Sequence, residues 1–253
     1  MVHFVGAGPG AGDLITVRGM ELLKKADVVI YAGSLVNPGL LEYVSGDAKV
    51  YNSALMTLEE VIAAVKEADK GGKTVVRLHT GEPSLYGAVR EQMDALDREG
   101  ISYESCPGVS ACFGAAAALN LEYTLPDVSQ TLIITRLEGR TNVPAGESVS
   151  SLAAHGASMA VYLSAGMLDK LTDELIKGGY PPETPAIIAY KATWDEEKYI
   201  SCMVSTLCES ARSENITKTA VVLVGDALRH SGYSRSKLYD PGFSTGYRKA
   251  DMT

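Results

Sequence analysis

Long apolar runs are missing from this chain: no stretch approaches the roughly 18–20 residues that span a bilayer, so no transmembrane helix is expected. The first residues, MVHFVGAGPG, have neither a basic leader nor a long apolar core, and do not read as a secretory signal. Cysteine is scarce. The four present (Cys106, Cys112, Cys202 and Cys208) show no C-x-x-C spacing, so neither a disulfide framework nor a zinc site is expected. Four histidines (His3, His79, His155 and His230) lie too far apart in sequence for a local metal motif, and no bound metal is expected. Basic residues are in deficit. The 23 Lys+Arg stand against 31 Asp+Glu, a net charge of −8, which argues against nucleic-acid binding because no basic field displaces phosphate counterions. These absences leave a reduced, cytoplasmic, globular protein.

What remains is ample for a core. With 253 residues, 46% hydrophobic and 21% charged, the chain is too apolar to be disordered and is long enough for two domains. The first half alternates short β-branched runs with amphipathic segments. HFVGAG opens as a strand, Leu14 to Lys25 follows with helical spacing (Leu14, Val17 and Leu22 on one side), and Asp27 to Tyr31 is a second buried strand. Thr57 and Glu60 form a capping-box pattern that starts a helix running to about Lys70, where Gly71-Gly72 breaks it. A strand over 74–78 and a helix over 86–99 complete a strand–helix alternation, hence a mainly parallel sheet in an α/β fold.

The second half offers strands over 131–136, 158–164, 185–192, 198–204 and 219–225, with a helix over 167–177. Only a few residues around Trp194 join two of these strands, which predicts an antiparallel hairpin and so a mixed C-terminal sheet. The polar, Pro-containing stretch 120–130 suits a boundary between domains 1–120 and 121–253. From His230 onward a Gly-, Ser- and Tyr-rich tail reads as an extended arm packing over the body.

Three glycine-containing turns follow three strands. The first, Gly6-Ala-Gly-Pro-Gly-Ala-Gly12, formally matches a dinucleotide fingerprint, which would make the chain an NAD(P)-binding oxidoreductase. Two details oppose that reading. Pro9 removes an N–H from the cradle, and the second strand ends Ile30-Tyr31-Ala32-Gly33 without the acid that would hold the ribose. The second turn, RLHTGEPSLYG (77–87), places Gly81 for close approach and Glu82 as an acceptor suited to a ribose hydroxyl or a cation. Equally, Glu82 and Ser84 could simply cap a helix starting near Ser84. The third turn, PGVSA (107–111), opens an Ala-rich helix with Ser110 at its cap position. Three such turns line one rim of one sheet and favour a small-molecule cleft.

Read together, these turns resemble the tetrapyrrole (corrin/porphyrin) methylases. The resemblance rests on VGAGPGAGDLITVRG (5–19), RLHTGEPSLYG (77–87) and PGVSA (107–111), with TRLEGR (135–140), VYLSAG (161–166), AYKATW (189–194) and VVLVGD (221–226) following in order. LVNPGLLEYV (35–44), YKATWDEEK (190–198) and SKLYDPGFSTGYRK (236–249) are most similar to the branch acting on a precorrin-4-type ring, with or without cobalt, at carbon 11 in cobalamin synthesis. The resemblance implies a two-domain α/β fold, a homodimer, and S-adenosylmethionine as methyl donor bound between the domains. By position it implies donor contacts at Pro9, Thr80, Gly81, Glu82, Leu85, Ser110, Ala111, Leu163 and Ala192. Glu82 stands where the family usually has Asp. Ala88 and Pro126 stand where related uroporphyrinogen methylases carry arginines, so that branch's substrate pattern does not transfer here.

Methyl transfer from a sulfonium to carbon is an in-line displacement that needs alignment and exclusion of water, not a nucleophilic side chain. The candidates for a base that later removes a ring proton are Glu82, Tyr86 and Glu91, of which Glu91 and then Tyr86 are preferred; the alternatives are a solvated face for Glu91 and packing for Tyr86. A substrate with many carboxylates wants cations at its trough, and Arg18, Arg77, Arg136 and Arg140 lie on or near the loops. Arg136, ending a strand, is the favoured contact, followed by Arg18. The rival functions are a methylase for another ring position, the NAD(P) enzyme, and a binding module that turns nothing over.

Overall fold

The computed structural model describes residues 1–250. The chain divides into two compact units, one comprising Met1–Ala115 with Lys191–Glu197, the other Ala116–Tyr190 with the residues from Lys198 onward.

The first unit holds a five-stranded sheet in the order β3-β2-β4-β1-β5, all parallel. Its strands are β1 (Val2–Gly6), β2 (Val28–Tyr31), β3 (Lys49–Asn52), β4 (Val75–His79) and β5 (Tyr103–Cys106). Strand alternation sends successive side chains to opposite faces, and both faces are covered. Val5, Val29, Val76 and Leu78 pack with Leu23 of α1 (Val17–Lys25) and with Val36 and Leu40. Phe4, Val28, Ile30 and Val75 pack with Val61 and Val65 of α2 (Leu58–Lys70) and Leu96 of α3 (Arg90–Glu99).

Two helix starts differ from the sequence expectation. The first helix begins at Val17, capped by the Thr16 side chain, which accepts from the Gly19 N–H at 3.1 Å; Val17 points outward, 75% exposed, and Leu23 is the buried anchor. The helix expected from residue 86 begins only at Arg90, because Tyr86 and Ala88 take left-handed backbone at φ 57° and 48°. The capping box at Thr57 is as the sequence spells it: the Thr57 N–H donates to Glu60 Oε2 at 2.7 Å and the Glu60 N–H to Thr57 Oγ1 at 3.3 Å.

The second unit contains β6 (Leu132–Arg136), β7 (Ser158–Tyr162), β8 (Pro185–Tyr190), β9 (Lys198–Met203) and β10 (Ala220–Val224) in the order β6-β7-β10-β8-β9. Only β6 and β7 are parallel, so the sheet is mixed, and β8 and β9 form the expected antiparallel hairpin. Met159, Val161, Ile188, Val222 and Val224 bury against Leu168, Leu171 and Leu175 of α6 (Leu168–Lys177) and against Leu207 of α7 (Leu207–Ser213). A short α5 (Val149–Ala153) adds to this core, and α4 (Ala111–Ala118) crosses the division between the units. The tail from His230 is largely exposed and folds on itself, with the Arg248 guanidinium donating to the carbonyls of Leu238 and Asp240. No helix among the described residues is long and apolar enough to cross a membrane.

Candidate functional site

The strand order locates the site in the first unit. The connection leaving β1 passes to β2 on one side, and that leaving β4 passes to β5 on the other. Adjacent strands whose connections diverge leave a crevice at their carboxyl ends, where ligands of open α/β sheets bind. The loops at that point are the first two glycine turns.

They are joined backbone to backbone. The Gly8 N–H donates to the Gly81 carbonyl at 3.3 Å and the Gly81 N–H to the Gly8 carbonyl at 2.8 Å; both glycines have positive φ, 79° and 60°, which side chains rarely tolerate. Glu82 ties in the third turn. Its Oε2 accepts from the Gly108 N–H at 2.8 Å and its Oε1 from the Ser84 N–H at 2.9 Å. Partial burial pushes the Glu82 carboxyl upward, but the hydrogen bonds from Gly108 and Ser84 outweigh it and hold the group below its ordinary value. The Ser84 contact closes a turn rather than a helix, since α3 begins six residues later.

The hairpin tip after β8 belongs to this same unit. Trp194 donates its indole N–H to the Pro9 carbonyl at 3.0 Å, Thr193 Oγ1 accepts from the Ala11 N–H at 2.9 Å, and Asn37 donates to the Gly10 carbonyl at 2.9 Å. Lys191 Nζ lies 5.4 Å from the Trp194 ring centroid. Ala192 is buried between Lys191 and Thr193, both in left-handed backbone. This arrangement argues against a pyrophosphate cradle, because the Gly8 and Ala11 N–H groups already have protein acceptors and Pro9 has none to offer.

Beside the loops lies a cleft of about 300 Å³. It brings together four of the sequence-predicted residues, Thr80, Leu85, Tyr86 and Glu91. Pro9, Gly81, Glu82, Ser110, Ala111 and Ala192 belong to the loops and the hairpin tip of the same unit but do not line that cleft. Leu163 and Arg136 belong to the second unit. Leu163 follows β7 with φ 54° and is 67% exposed, an unusual posture for a leucine. Arg136 Nη1 donates to the carbonyls of Leu137 and Thr141 at 3.1 and 3.0 Å, and Nη2 to that of Asn142 at 2.9 Å, so this arginine braces its own loop. Arg18 is exposed on α1.

Three cleft residues escape the sequence-based set of site residues: Arg77, considered there only as a lesser cation, His79 and Gln92. Gln92 accepts from Arg77 Nε at 2.9 Å and donates to the Ala88 carbonyl at 3.0 Å, linking the buried arginine to the left-handed turn. The signal available in the sequence was two ionisable residues inside a strand otherwise made of Val and Leu. Among the described residues no group of three or more His, Cys, Asp or Glu side chains could hold a metal ion.

Comparison with known proteins places this geometry in context. The family model for Tetrapyrrole (Corrin/Porphyrin) Methylases matches residues 1–208. The chain is similar to a cobalt-precorrin-4 C(11)-methyltransferase of Methanocaldococcus jannaschii, 51% identical over 98% of this chain and 96% of that one. It is also similar to the protein of the same name from Priestia megaterium, at 46% over 98% and 97%. Among solved structures, a cobalt precorrin-4 methyltransferase described as a cobalamin biosynthetic enzyme superposes with a TM-score of 0.88 at 45% identity, covering 90% of this chain and 95% of that one.

Proposed function

This chain belongs to the tetrapyrrole (corrin/porphyrin) methylase family, and from that premise we propose that it methylates carbon 11 of a precorrin-4-type ring in cobalamin synthesis, with S-adenosylmethionine as the donor. The observation that carries the reading is the fusion of three glycine turns at the carboxyl ends of β1 and β4, through the Gly8–Gly81 pair and the Glu82–Gly108 bond, in a chain that matches the named relatives over 98% of its length. The cobalt-bearing ring is the substrate we assign, following the names of those relatives.

The loops fit a donor of this kind. Gly81 has left-handed backbone without a side chain, Thr80 is exposed beside it, and Leu163 and Tyr86 combine left-handed backbone with exposed side chains. Pro9, Thr80, Gly81, Glu82, Leu85, Ser110, Ala111, Leu163 and Ala192 are the residues assigned to the donor. The donor supplies a methyl group already activated on sulfur. The chain's part is to orient the reactants and exclude water, which is where most of the acceleration of a displacement comes from. Glu91, exposed and lining the cleft beside Tyr86, is assigned as the base that takes a ring proton, and Arg136 and Arg18 as contacts to ring carboxylates. A homodimer in the cytoplasm is part of the same reading and rests on the family resemblance.

Incubation with S-adenosylmethionine and isolated cobalt-precorrin-4 or precorrin-4, followed by mass and NMR location of the new methyl, tests the assignment. A single added methyl at carbon 11 is expected. A methyl at another position overturns the ring assignment, and tight binding of S-adenosylhomocysteine without transfer to any intermediate would favour a binding module.

A further inference from the structure

A strand covered on both faces of a parallel sheet is expected to read as an unbroken apolar run. β4 reads Val75-Val76-Arg77-Leu78-His79, and all five residues are buried. Val76 and Leu78 face α1, whereas Arg77 and His79 share the other face with Val75. The sheet therefore places a guanidinium and an imidazole where Phe4, Ile30 and Val61 make an apolar layer.

Neither group is fully provided for. Arg77 is 7% exposed. Its Nε donates to Gln92 and its Nη1 to the Ile30 carbonyl at 3.0 Å, which occupies two of the five N–H donors of a guanidinium. Among the described residues no carboxylate forms an ion pair with it, although buried cations are ordinarily paired. Burial alone pulls Arg77 down to about 10. His79 is 4% exposed, and its Nε2 is buried with no hydrogen-bond partner. Burial first, and the Arg77 charge second, push His79 down to about 3, so the ring is neutral and one nitrogen carries a proton it can donate.

Both side chains line the cleft of about 300 Å³. Glu91 is the one carboxylate lining that cleft among the described residues, and it is exposed. An uncharged acceptor would satisfy Nε2 but would leave the Arg77 charge unneutralised; a carboxylate does both.

We propose that Arg77 and His79 form a carboxylate-binding subsite in this cleft, Arg77 supplying the charge and His79 Nε2 a directional donor. The identity of the carboxylate rests on the methyltransferase reading, which offers two sources: a side chain of the ring, or the amino-acid end of the methyl donor.

The test is NMR of the full chain with labelled histidines. The His79 signal is assigned by its loss in His79→Gln, and the probes are glutarate, S-adenosylhomocysteine and the methylated ring. The His79 resonance should move with a carboxylate but not with chloride at equal ionic strength, and the movement should vanish in Arg77→Gln. Ring or donor-product affinity should fall roughly ten- to hundredfold in both variants, the loss expected for a charge-assisted hydrogen bond. Movement with S-adenosylhomocysteine alone assigns the donor's carboxylate; movement only with the ring assigns a ring side chain. If Arg77→Gln fails to fold, Arg77→Lys keeps a cation and should retain the His79 response, while His79→Gln still reports affinity. A His79 signal indifferent to all three probes, with unchanged affinity in the folded variants, overturns the subsite. A His79 response in a protein that methylates no ring would instead overturn the assigned function and leave the subsite standing.

Discussion

Each oxygen of Glu82 accepts a backbone N–H from a different stretch of loop, Gly108 at 2.8 Å and Ser84 at 2.9 Å. Glu82→Gln should therefore cost about 1–3 kcal/mol, because an amide offers only one acceptor and turns an NH₂ toward the other donor. Urea unfolding at neutral pH measures it. The sign with pH follows from the depressed carboxyl. Its stabilising contribution is complete above the ordinary glutamate value and is lost as pH falls through the lower native value. The gap between wild type and Glu82→Gln should narrow on acidification from about pH 7 to about pH 3. A gap that stays constant means the charge plays no part. At this scale the sequence showed which residues were chemically able but not what they touch. Glu82 was legible as an acceptor, yet its partner Gly108 lies 26 residues away, across β5. Arg77 was legible as a cation in the strand over 74–78 and His79 as a residue of the turn after it, but their shared face and missing partners exist only once β4 is packed.

Among the elements, the alternation of strands and helices carried over because buried parallel strands and capped helices write strong patterns, as at Thr57 and in the β8–β9 hairpin. Expectation failed where backbone left the usual regions. Nothing in Tyr86-Gly-Ala88 announces left-handed φ, and the helical period read on through it. β3 was missed because an edge strand, half exposed, has no apolar run to show. The hairpin tip was read as a connector, but it clamps the first glycine turn. A Cβ at Gly10 would lie 2.7 Å from the Trp194 indole nitrogen and 2.9 Å from the Ala192 carbonyl. Gly10→Ala should destabilise by about 1–3 kcal/mol through overpacking. Trp194→Leu should cost a similar amount through the lost Pro9 bond and ring contact. The pair should be non-additive, since removing the indole frees the space the methyl needs. A double-mutant cycle by urea denaturation gives the coupling, and costs that simply add would show that the two residues do not bear on each other.

For the whole molecule, the net charge of −8 acts on any polycarboxylate before a side chain can. The composition displayed that charge plainly. What it concealed is that a cation can sit almost wholly out of bulk water, as Arg77 does, where salt screens it less. Salt separates the two effects. Exposed charges separated by more than a Debye length, about 10 Å at 0.1 M, are largely screened, whereas buried groups are screened much less. Raising salt from about 10 mM to about 150 mM should therefore increase kcat/KM for the ring severalfold, because the long-range repulsion is removed while the buried attraction survives. Arg77→Gln should lower kcat/KM at every salt concentration without changing that slope. A kcat/KM that falls with added salt would mean that exposed cations dominate the approach of the ring. The arginines to substitute first would then be Arg18 and Arg136, which solvent reaches, rather than Arg77.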